Sequence, residues 1–171
     1  MPITRLNHAV LYVLDLEASV AFYSGVLGFR KLDMLPEGFE GAALLQAEGS
    51  TNDHDLGLFQ IGRTAGTSTA GRSTVGLYHL AWEVDTLAEL ARIQRALAAV
   101  GALTGTSDHS TSKSLYGQDP DGMEFEVAWF VPPDRLDDDI LEGRRGISRL
   151  DLGAELERYG AGTVGGLGGA T

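Results

Sequence analysis

Four histidines punctuate the 171-residue chain, His8, His54, His79 and His109, and two of them fall at matching places. His8 lies in LNHAVLYV and His79 in LYHLAWEV, each reading as a central position of an alternating strand that opens a repeated pattern. A lone strand histidine is ordinarily half-buried and hydrogen-bonded within its sheet. A symmetric pair facing one concavity instead has the chemistry of two neutral imidazole ligands for a divalent ion. A carboxylate must complete such a site, and GMEFEVAW supplies two, Glu124 and Glu126, on one face of a strand with Ala128. The chain contains no cysteine, so disulfide frameworks and thiolate metal sites are excluded.

The elements that position these residues are written twice. After His8 comes Asp15 as a helix N-cap, apolar positions Val20, Tyr23, Val26 and Leu27 at helical spacing, and Gly28 as a C-terminal stop. After His79 come Asp85 as N-cap, then Leu87, Leu90, Ile93, Leu97 and Val100, then Gly101. Three strand-like runs follow each helix: 30–34, 42–47 and 56–61, then 103–107, 114–117 and 124–130. Each half is β-α-β-β-β, and alone would leave one sheet face bare.

The reading is therefore one α+β domain over 1–131, with units at 5–62 and 76–131 joined by a Gly/Ser/Thr linker at 63–75. The units are expected to form one cup-shaped, partly closed mixed sheet. Pro132 and Pro133 end the last strand, and residues 132–171 form a C-terminal arm. Within it, Leu150, Leu152, Leu156 and Tyr159 predict a short helix over 148–159, whereas AGTVGGLGGAT is too glycine-rich to order itself.

A net charge of -11 and a pI near 4.6 repel phosphate backbones and anionic membranes, so neither nucleic acid nor a membrane is an expected partner. The first residues lack an apolar signal core, and no run of about 18 apolar residues occurs. A cytoplasmic location is the expectation.

The stretch YGQDPDGMEFEV resembles the closing motif of the vicinal oxygen chelate superfamily, the glyoxalase, bleomycin resistance and type I extradiol dioxygenase fold. In that motif the last metal ligand stands four positions after the turn glycine, which lands on Glu126. Met123 replaces the usual Asn after the turn. The resemblance covers roughly Leu6 to Trp129, and its parts arrive in the family's order. It implies a metal held by His8, His79 and Glu126, the facial arrangement that leaves adjacent positions free for substrate and dioxygen on iron, and that also serves zinc.

The remaining histidines narrow the comparison. NDHDLGLF is similar to the segment of extradiol dioxygenases, of the catechol 2,3-dioxygenase kind, whose His is an acid-base residue near the iron. DHSTSKSLYGQDPDG resembles their stretch with an outer His and a Tyr, matching His109 and Tyr116. Implied roles are proton transfer for His54, charge stabilisation for His109 and a hydrogen bond from Tyr116. Glyoxalase-like lyases and isomerases take a fourth ligand, a carboxylate from the last strand of the first half. DLGLFQIG has none, and Gln60 is the only weak substitute.

The expected function is an Fe(II) extradiol-type dioxygenase cleaving a catechol-like aromatic diol with O2 and forming a homodimer or higher homo-oligomer. Alternatives are a glyoxalase-like enzyme using Ni, Zn, Mn or another divalent metal, and a metal-free drug-binding resistance protein. Trp82, Trp129 and Tyr78 fall out of phase with His79 and Glu126, and are expected in the helix-facing core.

Overall fold

A computed structural model describes residues 2–62, 64–66, 68 and 73–166. Parts of the expected linker and the final residues 167–171 lie outside the described residues. The chain divides into two compact units, Met1–Thr69 with Asp119–Gly122, and Ala70–Gln118 with Met123–Thr171.

In the first unit, β1 (Ala9–Val13) leads to α1 (Leu16–Gly25), then β2 (Arg30–Leu32), β3 (Ala42–Gln46) and β4 (Leu56–Gln60). Asp15 caps α1 by accepting from the Ala18 amide, and Gly28 takes a positive φ of 84° where the chain leaves the helix. The strand order is β1-β4-β3-β2, with β1 parallel to β4 and the rest antiparallel. Leu11, Val13, Leu45, Leu56 and Leu58 bury one face of this sheet, and α1 lies against β2, β3 and β4.

The second unit repeats the design with β5 (Leu80–Glu83), α2 (Leu87–Ala99), β6 (Leu103–Asp108), β7 (Ser112–Gln118) and β8 (Glu124–Phe130), in the order β5-β8-β7-β6. α2 buries Leu87, Leu90, Ala91, Ile93 and Leu97. Two details differ from the sequence expectation. Thr86, not Asp85, caps α2 by accepting from the Glu89 amide, while Asp85 accepts from the Thr86 hydroxyl. Val100 lies past the helix end and is exposed.

The α+β class and the tandem βαβββ order are as expected. Among the described residues the eight strands are, however, shared between two four-stranded mixed sheets rather than hydrogen-bonded into one. Each unit pairs its own first and last strands, which closes the ladder pattern inside the unit.

The arm packs on the second unit. A 3₁₀ turn at Pro133–Arg135 precedes α3 (Asp138–Gly143), a helix not foreseen in the acidic stretch, which starts because Asp137 accepts from the Ile140 amide. Ile140 is buried beneath it. The last helix, α4 (Leu152–Tyr159), begins later than expected because Asp151 caps it. It rests near α2, with the Tyr159 ring 5.3 Å from that of Trp129.

Of the glycine-rich stretch, residues 161–166 are described and hold hydrogen bonds to the rest of the second unit, while 167–171 lie outside the described residues. Ala161 O accepts from the Ala88 amide at 2.9 Å, Thr163 O from Trp129 Nε1 at 3.3 Å, and Gly165 and Gly166 donate to Asp85 O and Phe130 O at 2.7 and 3.1 Å. Tertiary partners supply the order that the local sequence lacks. A Cβ on Gly165 would meet Trp129 Nε1 and the Phe130 carbonyl oxygen. Gly165→Ala should therefore destabilise the protein by about 1–3 kcal/mol through overpacking, read as a lower urea midpoint together with greater quenching of tryptophan fluorescence by iodide.

Candidate active site

The two histidines expected at the centres of the opening strands stand instead one residue before them, His8 ahead of β1 and His79 ahead of β5. The equivalence between the halves survives; the shift leaves both rings at the rim of their sheets.

In the second unit the parallel register sets Ala81 beside Glu126, and His79 stands two residues before Ala81, just ahead of the strand. His79 Nε2 lies 3.2 Å from Glu126 Oε2, with both side chains largely buried. An imidazole nitrogen and a carboxylate oxygen so close need a proton or a cation between them. His79 Nδ1 is buried with no hydrogen-bond partner among the described residues. In chemical type this donor pair is one that could hold a divalent cation.

Glu126 also pairs across the antiparallel ladder with Tyr116, whose ring centroid is 6.2 Å from that of His79. The Tyr116 hydroxyl is 3.0 Å from His109 Nε2 and accepts from Ser107 Oγ at 3.1 Å, and Ser107 Oγ is 2.8 Å from His109 Nε2. Two hydroxyls and one imidazole nitrogen thus form a closed triangle able to hold and redistribute a proton. Ser107 escaped the sequence reading. It shares the face only because Ser107 pairs with Ser114 and Gly105 with Tyr116 after a register irregularity between Leu103 and Gly105, which no motif reveals.

Trp129 is fully buried on the opposite face from Glu126, as expected. Tyr78 is not in the core: it is exposed, its ring 4.6 Å from that of His79. It precedes β5, so strand alternation does not govern it.

In the first unit, the His8 and His54 rings lie 4.3 Å apart, and His8 Nδ1 is 2.8 Å from Asn7 Oδ1. The turn before β4 holds His54. Asp55, buried, accepts from the Ala47 amide, Ser50 Oγ and Asn52 Nδ2, while Asn52 Nδ2 also donates to Asn7 O at 2.7 Å. The acidic residue of the His54-Asp55 pair thus organises the turn. Gln60, the weak candidate for a fourth ligand, accepts through its Oε1 from the Leu16 amide at the start of α1.

The structure therefore brings together His79 with Glu126, Tyr116 with His109, and His8 with His54. Among the described residues no three His, Asp or Glu side chains form a ready-made metal cage. The DPDG turn, Asp119–Gly122, groups with the first unit although its neighbours in sequence belong to the second. Asp121 accepts from the Leu14 amide through both carboxylate oxygens, Asp119 accepts from the Tyr23 hydroxyl at 3.0 Å, and Gly122 takes φ 79°.

Residues 5–127 match the family model described as the glyoxalase/bleomycin resistance protein/dioxygenase superfamily. The chain belongs to this superfamily. Superfamily relatives carry different names: a catechol-2,3-dioxygenase of Bacillus subtilis is 31% identical over 124 residues, 72% of this chain. The chain spans 41% of that relative's length. A lactoylglutathione lyase of Neisseria meningitidis serogroup A is 31% identical over 138 residues, covering 80% of this chain and 96% of the lyase. A superfamily domain from Frankia sp. EAN1pec shares the fold with a TM-score of 0.61 at 23% identity, over 74% of this chain and 92% of that one. Members of the superfamily bind divalent metals and small molecules, and among the described residues no helix is long and apolar enough to cross a membrane.

The contact between Tyr23 and the superfamily turn has a pH signature. Burial, reinforced by the Asp119 charge, pushes the Tyr23 phenol far above its ordinary value of 10.0. The folded chain then holds this proton where the unfolded chain releases it, so stability is complete below about pH 10 and declines as pH rises further. Tyr23→Phe should cost about 1 kcal/mol at neutral pH and weaken that alkaline decline, as urea midpoints taken from neutral to alkaline pH will show.

Proposed function

We propose that this chain is a metal-dependent enzyme, an Fe(II) extradiol-type dioxygenase that opens a catechol-like ring with O2. The observation that carries this reading is the triangle of Tyr116, His109 and Ser107 beside the His79 and Glu126 pair. Proton-handling groups adjacent to a ligand pair suit a substrate that must lose protons to chelate and regain one on ring opening.

His79 and Glu126, with His8 as the third ligand, would hold the ion; Fe(II) there supplies Lewis acidity and redox chemistry toward dioxygen. Each further role belongs to a side chain of the protein. His54 accepts a ring hydroxyl proton, its turn stiffened by Asp55. Tyr116 donates a hydrogen bond toward developing oxygen charge, and His109 keeps that hydroxyl oriented and supplies positive charge when protonated. Homo-oligomerisation and a cytoplasmic location complete the proposal.

Support against a four-ligand, glyoxalase-like centre comes from β4, which offers no carboxylate and whose Gln60 is engaged at the start of α1. The near full-length match to a lactoylglutathione lyase keeps that reading as the competitor. Protein purified without oxygen should contain iron and take up O2 with at least one member of a catechol panel, and Glu126→Ala should abolish both. Absence of uptake by iron-loaded protein, alongside isomerase activity with nickel or zinc, would overturn the assignment.

His54→Ala separates the two centres more sharply. It should keep its metal while turnover falls by about 10²–10⁴; loss of metal would make His54 a ligand and favour the four-ligand enzyme. Metal content by mass spectrometry and O2 uptake by electrode provide the comparison.

A further inference from the structure

Behind the face that carries His109 lies a buried cation that the proposed chemistry does not use. Lys113, on β7, is 1% exposed, and burying an ammonium group is strongly unfavourable without compensating partners. Its Nζ lies 2.6 Å from Asp108 Oδ1 and 3.2 Å from Glu155 Oε2, and donates to Ser110 O at 3.2 Å. The Glu155 oxygen makes no aligned hydrogen bond, so its attraction to Lys113 is coulombic. Asp108 and Ser110 flank His109 in the chain, whereas Glu155 comes from α4 in the arm.

Two other contacts bring the arm onto the same turn. Asp108 and Ser148 exchange backbone hydrogen bonds at 2.9 and 3.0 Å. Gly143, at the end of α3, lies so near that a Cβ on it would be 2.6 Å from Ser110 Oγ. Ser110 has φ 67°, the one positive value outside glycine among the described residues. That conformation costs about 1 kcal/mol, and the Asp108 carboxylate offsets it by accepting from the Ser110 amide at 2.6 Å. The turn is thus held in a conformation it would not adopt alone, from the side opposite Tyr116.

We propose that Lys113 and Glu155 are positioning residues through which the C-terminal arm sets the His109 ring against Ser107 and Tyr116. The catalytic half of this inference rests on the dioxygenase reading above; the geometric half does not. The buried ammonium ties the flanks of His109 to α4, and Gly143 permits α3 to press on Ser110. Neither Lys113 nor Glu155 touches substrate. Both act by fixing the imidazole.

Glu155→Gln keeps the side-chain shape and removes the charge; Gly143→Ala disturbs the same turn without changing any charge. In full-length protein without added metal, both should shift the His109 imidazole resonances in nitrogen NMR while those of His54 stay in place. With iron and a turned-over catechol, kcat should fall about tenfold with KM changed by less than about twofold. Lower melting temperatures with unmoved His109 resonances and unchanged kcat would make the cluster merely structural and overturn the proposal. If wild-type protein turns over no catechol yet His109 still shifts in both variants, the dioxygenase reading fails and the positioning role stands.

Discussion

The parallel pairing of first and last strands within each unit is the constraint on which the rest of the molecule depends. Between β5 and β8 it carries Ala81 to Glu126 and so delivers His79 to its carboxylate. Between β1 and β4 it carries Ala9 to Leu56, and the rings just ahead of the two strands, His8 and His54, come into contact. A parallel pair cannot be joined by a hairpin; it needs a long crossover. The intervening helix and two strands are that crossover, and they bury the opposite face so that polar residues can occupy the first.

The second unit shows how one strand separates structure from chemistry. Phe125, Val127 and Trp129 fill the core on one side of β8, while Glu126 emerges on the other beside Tyr116. Ser107, His109 and Tyr116 extend that polar face across β6 and β7. A one-residue slip of either pairing would send Glu126 into the core and Val127 to the site. The hydrophobic cost of that exchange is what keeps the site residues in phase.

Superfamily membership leaves the reaction open, since relatives of equal identity bear the names of an oxygenase and a lyase. The discriminating chemistry lies in particular side chains. Gln60 is committed to α1, β4 lacks a carboxylate, and His109 lies within hydrogen-bond distance of the Ser107 and Tyr116 hydroxyls. These details, rather than the shared fold, support the oxygenase proposal.

Alternation, caps and glycine stops in the sequence alone were enough to determine the βαβββ repeat and the span of β8 to the residue, whereas alternation left Glu124 and Glu126 both open and only the resemblance of the closing motif singled out Glu126. These features are local or follow from a repeated pattern, and local sequence carries them. What only tertiary structure decided depends on registers and contacts between distant segments. The split into two sheets, the recruitment of Ser107 past an irregular register, and the seating of the DPDG turn with Tyr23 all have that character. So does the order of Ala161 to Gly166, whose composition argues for freedom but whose backbone finds partners on Asp85, Ala88, Trp129 and Phe130. The buried Lys113 shows the same reason most directly: no pattern in β7 marks it as internal, and its ammonium is held by Asp108 and the Ser110 carbonyl together with Glu155, which an arm some forty residues later brings to it.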